Sequence, residues 1–391
     1  MLMTQNHLDG VVIGPSNTLE FLTGFNPVGC ERFQALFITC ERRYFYICNL
    51  IYAEDMKRWF PEDAPFYVWN DGQGFHETLK KAVADFGLTH KRMAFGETIR
   101  AVDLIDMKSL FPCEFINGVP LLEELRIIKT EQDLEKMRTA ARMADGVMED
   151  LTQFIRPGMT EKDIKVKIED LFMEKGADGL SFPPIVACGA NNSRPHYRED
   201  SGVIAKKDVL LLDFGCRYQG FCSDISRTFF IGSISKEEEK IYTLSREAQA
   251  AGVKAAKEGA RCCDVARAAR GWIEKHGMGQ YFLNRTGHGI GFDVHDAPYI
   301  NGNNQRCLER GMAFSIEPGI CIPGRVGMRV EDIVAINHQG KREVLNQFTR
   351  DISLNNVLYF FFDFFFLPFS HSSCSWIISW MLASSLDRET V

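Results

Sequence analysis

The chain's 391 residues suffice for two or three domains with a full core, and a composition of 45% hydrophobic and 25% charged residues is that of an ordinary globular protein. A net charge of -7, a pI near 5.8 and the lack of a basic stripe exclude a nucleic-acid-binding surface. Twelve cysteines with no C-x-x-C read as reduced thiols, not a disulfide framework, and the opening MLMTQNHLDG has neither region of a signal peptide, so a cytoplasmic protein is expected.

Residues 1–122 alternate short apolar runs with helical patterns. GVVI (10–13), ALFIT (35–39) and YFYIC (44–48) read as strands, the last two joined by the turn Cys40–Arg43. Helices are expected after Ser16, over 76–87 and over 101–111, which together predict a small α/β domain. It carries no dense group of ligands, and His7, His76 and His90 are scattered, so this part reads as support or substrate cover. From Leu121 to Thr152 the pattern is helical, with a break near Lys129 and a capping-box start at Thr130-x-x-Asp133. A second domain is placed at 123–350. Pro157 and Gly158 end the long helix, and Thr160 caps another that runs to Lys175–Gly176. A strand, Ile185–Cys188, then enters a loop in which Pro195 stiffens the presentation of His196.

The stretch VLLLDFGCRYQGFCSDISRTFF (209–230) predicts strands Val209–Phe214 and Phe221–Phe229. Folded about Tyr218–Gln219, it sets Asp213 directly opposite Asp224 on one face, with Cβ atoms roughly 5 Å apart. Carboxylates so close repel unless a cation lies between them. Two solvated aspartates flanking a turn are the alternative, although Asp213 closes an apolar run where solvation is hard to arrange. Further on, Ser235 caps one covering helix and Asp264 opens another towards His276. In NRTGHGIGFDVHDAP (284–298), glycines bracket His288 and so permit close backbone approach, and His295 follows. Two buried structural histidines are the other reading. Finally, residues 312–336 read as a second strand pair turning at Pro323–Gly324. Glu317 and Glu331 are equidistant from Gly324, so they too oppose each other, and Arg329 shares their face.

Four carboxylates and an imidazole form a thiolate-free set suited to Mn, Co, Fe or Zn, with Mg tolerated and Ca disfavoured by the imidazole. Four negative charges match two divalent cations, which points to a dinuclear centre about 3.5 Å across with a bridging hydroxide, equipment for hydrolysis. His196 and His295 would then be free to hydrogen-bond substrate.

The motifs LLDFG, SDISRT, TGHGIG, SIEPG and RVEDI, in this order and spacing, resemble the pita-bread metallopeptidases, a group that includes methionine aminopeptidase, aminopeptidase P and prolidase. The resemblance covers about residues 125–350, and the preceding domain looks like the N-terminal domain of the prolidase, aminopeptidase P and creatinase branch. It implies an α+β chain: a pita-bread catalytic domain behind a smaller α/β domain. It also implies that Asp213 chelates one ion, that His288 and Glu317 bind the other, and that Asp224 and Glu331 bridge both, with Mn or Co favoured. Glu317 would shuttle protons, His196 and His295 would hold the scissile carbonyl or substrate carboxylate, and Arg329 would support the site. The implied activity is hydrolysis between an N-terminal residue and a following proline, in dipeptides or short peptides. A methionine aminopeptidase-like exopeptidase, a metal-free creatinase-type amidinohydrolase and an inactive binding module are the alternatives. A homodimer is implied; the charge argues against a nucleic-acid partner, and a membrane partner is not expected, with a tail anchor at the C-terminal end as the alternative. HDAP (295–298) departs from the relatives' usual Glu after the His, which puts substrate-end recognition in question at Asp296. Residues 351–391 read as a hydrophobic tail foreign to the family, its first apolar run too short for a span and broken by Asp363.

Overall fold

A computed structural model describes residues 2–351. The hydrophobic tail expected over 351–391 lies, but for Asp351, outside the described residues.

Six strands build the first sheet: β1 (Gly10–Ile13), β2 (Ala35–Thr39), β3 (Tyr44–Asn49), β4 (Phe66–Trp69), β5 (Arg92–Phe95) and β6 (Glu114–Asn117), in the spatial order β4-β3-β2-β1-β5-β6. The β1–β2 and β2–β3 pairs are antiparallel and the outer pairs parallel. Alternation along β1 sends Val12 to one core and Val11 and Ile13 to the other. Helices His76–Phe86 and Ala101–Leu110 cover the first face. Asn17–Thr23, Leu50–Lys57 and Val119–Arg126 cover the second. The capping boxes read from sequence form at Thr130 and Thr160, which open helices Glu131–Phe154 and Glu161–Glu174.

The C-terminal domain continues with β7 (Gly179–Leu180), β8 (Ile185–Cys188), β9 (Asp208–Phe214), β10 (Cys216–Tyr218), β11 (Phe221–Cys222), β12 (Ile225–Ile231), β13 (Gly287–Gly289), β14 (Asp296–Ile300), β15 (Ala313–Ile316), β16 (Gly319–Ile322), β17 (Val326–Arg329), β18 (Asp332–Ile336) and β19 (Arg342–Val344). Its principal sheets run β12-β9-β8 and β14-β13-β15-β18-β19, and an isolated bridge between Ser226 and Glu331 joins them. Helices Glu131–Phe154 and Glu161–Glu174 pack on the first sheet. Lys236–Ala255 and Cys262–Lys275 cover the β16–β17 ribbon and the second sheet. The last of these begins at Cys262, ahead of the expected Asp264, with Arg261 as its cap.

The first hairpin corrects the expected register. Gln219 and Gly220, both with positive φ (48° and 82°), occupy the centre of the turn, so Tyr218 pairs with Phe221. Asp213 therefore faces Ser226, not Asp224. A slip of two residues preserves the side-chain face, and Asp224 still lies on the same side, diagonal to Asp213. The strand expected over Phe221–Phe229 is also interrupted at Ser223–Asp224. In the second strand pair the expected register holds from Ala313 opposite Ala335 to Ile322 opposite Val326. That ladder breaks at Glu317–Pro318 and Val330–Glu331.

Candidate active site

The ladder breaks place the acids. Asp224, Glu317 and Glu331 each sit at an interruption between two strands, where a carboxylate can leave the pleat and turn inward. All eight residues singled out from the sequence (His196, Asp213, Asp224, His288, His295, Glu317, Arg329 and Glu331) line one pocket of about 650 Å³. Asp213, Asp224, His288, Arg329 and Glu331 are buried, while His196 and His295 are exposed at its mouth.

His288 can stand at the floor because its neighbours have no side chain. A Cβ at Gly287 would lie 1.9 Å from the Ser315 carbonyl oxygen, and one at Gly289 would lie 2.1 Å from that of Ala297. Its Nδ1 is 3.1 Å from the Gly289 carbonyl oxygen, which can only accept, so Nδ1 carries the proton and Nε2 presents a lone pair. Nε2 lies 3.6 Å from both Asp224 Oδ2 and Glu317 Oε1. Burial, with His295 edge-on at 4.3 Å, holds the His288 pKa down to about 3, so the ring is neutral at pH 7.

The acids are arranged for a cation. Burial first, then the neighbouring carboxylates, push Asp224 and Glu331 well above the usual carboxylate range, and burial raises Glu317 to about 7. Three buried oxygens, Asp213 Oδ1, Asp224 Oδ1 and Glu331 Oε1, have no hydrogen-bond partner. Ligand atoms of Asp224, His288 and Glu331 all lie within 4.8 Å of one another. Buried carboxylates with orphaned oxygens, gathered beside an imidazole lone pair, fit a divalent ion.

Apart from Arg329, reading the sequence did not find the residues that steady this group. Ser226 donates to Glu331 Oε2 at 2.6 Å and accepts from Arg329 Nε at 2.9 Å. Arg329 also pairs with Asp213. Burial works against the Arg329 charge, but the carboxylates of Asp213, Glu317 and Glu331 outweigh it and hold its pKa above the usual range. Asn284 Nδ2 is 3.4 Å from Glu317 Oε2. Buried Arg227 donates to the Glu331 carbonyl at 2.6 Å and to Asp332 at 2.7 Å, tying the broken strands together. Ser226 carried a signal after all: it stands two residues from Asp224 and so shares its face. Asn284 and Arg227 belong to the motif stretches but have no spacing that marks their partners.

The His196 loop has its own anchor. Glu161, fully buried in the first turn of its helix, accepts from the amides of Cys188 and Gly202 at 2.8 Å each, from Asn191 Nδ2 at 3.0 Å and from the Tyr197 hydroxyl at 2.6 Å. Asp296 answers the question raised by HDAP. Adjacent strand residues point to opposite faces, so while His295 faces the pocket, Asp296 turns away and pairs with Arg126 at 3.2 Å. Asp296 does not line the pocket.

Residues 135–338 match the profile of metallopeptidase family M24, and residues 1–128 match that of the creatinase/prolidase N-terminal domain. An Xaa-Pro dipeptidase of Lactobacillus helveticus is 33% identical over 332 residues, 83% of this chain and 89% of that protein. The recombinant prolidase of Thermococcus sibiricus superposes with a TM-score of 0.85 at 33% identity, covering 90% of this chain and 95% of its own. A Pyrococcus horikoshii dipeptidase gives 0.83 at 36% identity, covering 90% and 97%. The expected pairing of a creatinase-type N-terminal domain with a pita-bread domain is the architecture of these neighbours.

Proposed function

Since this chain belongs to metallopeptidase family M24, we propose that it hydrolyses the bond between a free N-terminal residue and a following proline, in dipeptides or short peptides. The observation that carries the reading is the shared pocket. It combines an acid-and-imidazole floor, His196 and His295 at the mouth, and an apolar wall of Phe182, Pro183, Pro184 and Ile185. The names of the Lactobacillus and Thermococcus relatives point the same way.

Asp213, Asp224, His288, Glu317 and Glu331 would hold two divalent ions, Mn or Co before Fe or Zn. Such ions supply Lewis acidity towards the scissile carbonyl and a nucleophilic water near neutral pH. Glu317, half-buried at the edge of the floor, would accept a proton from the attacking water and deliver it to the proline nitrogen as the C–N bond breaks. His196 and His295 donate to the carbonyl oxygen or to the substrate carboxylate. Arg329 pairs with Asp213 and keeps it aimed at the floor. The apolar wall suits a pyrrolidine ring, whose nitrogen brings no N–H to satisfy.

Enzyme reconstituted with Mn or Co and assayed on Xaa-Pro dipeptides, longer Xaa-Pro peptides and Xaa-Ala controls tests this. Xaa-Pro should be much the better substrate, and blocking the amino terminus should abolish cleavage. Release of Met from Met-Ala peptides with Xaa-Pro untouched would replace the proposal with methionine aminopeptidase activity. Purified protein that takes up no metal and cleaves nothing would leave a binding module.

A further inference from the structure

The helix Asn17–Thr23 belongs to the N-terminal domain, yet only Leu19 and its capping contacts serve that domain's own core. Asn17, Glu20 and Phe21 share the opposite face and meet the C-terminal domain directly, while Thr18, on the same face, reaches it through Arg126. Asn17 Nδ2 donates to Asp293 Oδ1 at 2.9 Å. Phe21 lies edge-on to Phe292, with ring centroids 5.5 Å apart, and Phe292 is in turn edge-on to Phe221 at the same distance. Glu20 pairs with Arg217 at 3.3 Å, and that guanidinium lies 5.3 Å above the Phe292 ring. Thr18 meets Arg126, which stands 3.6 Å from Asp293 and pairs with Asp296. Phe292, Asp293 and Asp296 are thus held on either side of His295, whose ring stands edge-on to His288 at 4.3 Å. A loop that carries an exposed imidazole has many rotations open to it, and these contacts remove them.

We infer that Asn17 and Phe21 are positioning residues for His295, and that the N-terminal domain acts on catalysis within its own chain by bracing the 291–296 loop. This rests on the reading of His295 as a substrate contact. The test is a set of double-mutant cycles on the full chain, with metal content and melting temperature recorded for every variant. Asn17→Ala and Phe21→Leu should each lower kcat on Xaa-Pro dipeptides about 10-fold or more while leaving bound metal unchanged. In a His295→Ala background neither should add a further loss. Asn17→Asp, which sets carboxylate against carboxylate, should lose more than Asn17→Ala. Combining it with Asp293→Asn exchanges amide and carboxylate and should restore kcat. Unchanged kcat in the single variants, losses that multiply in the His295→Ala background, or failure of the exchanged pair to rescue would overturn the inference. If His295→Ala itself had wild-type kinetics, the substrate-contact reading would be at fault, and the loss in Asn17→Ala would then need another route.

Discussion

At the scale of single residues, Asp224 and His196 divide the pocket into two kinds of work. Asp224 is buried, with Oδ1 unpartnered and Oδ2 3.6 Å from His288 Nε2, an arrangement that suits a cation between them. Asp224→Asn keeps the shape but removes the charge. We expect a folded protein that has lost most of its metal and nearly all activity; full metal by elemental analysis would contradict the ligand role proposed for this residue. His196 stands at the exposed mouth and touches no acid of the floor. His196→Ala should keep its metal and lose about 10²–10³ in turnover, the worth of one donor to a developing oxyanion. Metal loss in this variant, or unchanged kinetics, would refute the assignment.

At the scale of elements, strand and loop are held by buried charges that the helices and chain end supply. Glu161 is the anchor of the 188–202 loop. Burial tends to raise its pKa, but the Tyr197 hydroxyl, the Asn191 amide and two backbone amides outweigh this and hold it below the usual range. A carboxylate depressed in the folded state binds fewer protons there than in the unfolded chain. Its stabilisation is therefore fully present above the unfolded pKa, about 4.3, and is lost as pH falls through the lower folded value. Glu161→Gln turns an amide donor against donors and should cost about 3 kcal/mol at pH 7. The gap from wild type should narrow on acidification below about pH 4. Denaturant melts at both pH values measure this, and a gap that stays constant with pH would show that the charge is not what holds the loop. Activity should fall along with loop order, since His196 precedes Tyr197.

At the scale of the whole molecule, the described chain closes on itself at its end. Tyr242 donates to the Arg350 carbonyl at 2.9 Å, Arg350 Nε meets Asp332 at 2.6 Å, and Arg246 pairs with Asp351 at 3.0 Å. These contacts tie the last described residues to the helix and strand behind the site. A chain ended after Asp351 should keep its fold and activity and gain solubility, because a Phe-rich run is prone to aggregate when exposed. Circular dichroism and kinetics of the shortened chain decide this; an unfolded product would show that the tail completes the core. Among the described residues no helix is long and apolar enough to cross a membrane.

The sequence by itself determined the ligand types, their order and the faces they share. Strand periodicity and turn residues are local signals, so the second strand pair could be registered from Gly324 alone, and both capping boxes from four-residue patterns. It could not determine which residue stands opposite Asp213. Gln219 takes a left-handed conformation beside Gly220, and that choice, made within a packed turn against Phe292, moved the register by two. Nor could it show that Asp296 faces away from the pocket, that Glu161 is buried, or that an N-terminal helix grips the His295 loop. Each of these depends on partners far off in sequence, such as Arg126, Tyr197 and Asp293, and spacing along one strand or helix holds no record of them. Only tertiary packing, within the C-terminal domain and between the two domains, decides which polar groups lose water, and therefore which must find one another.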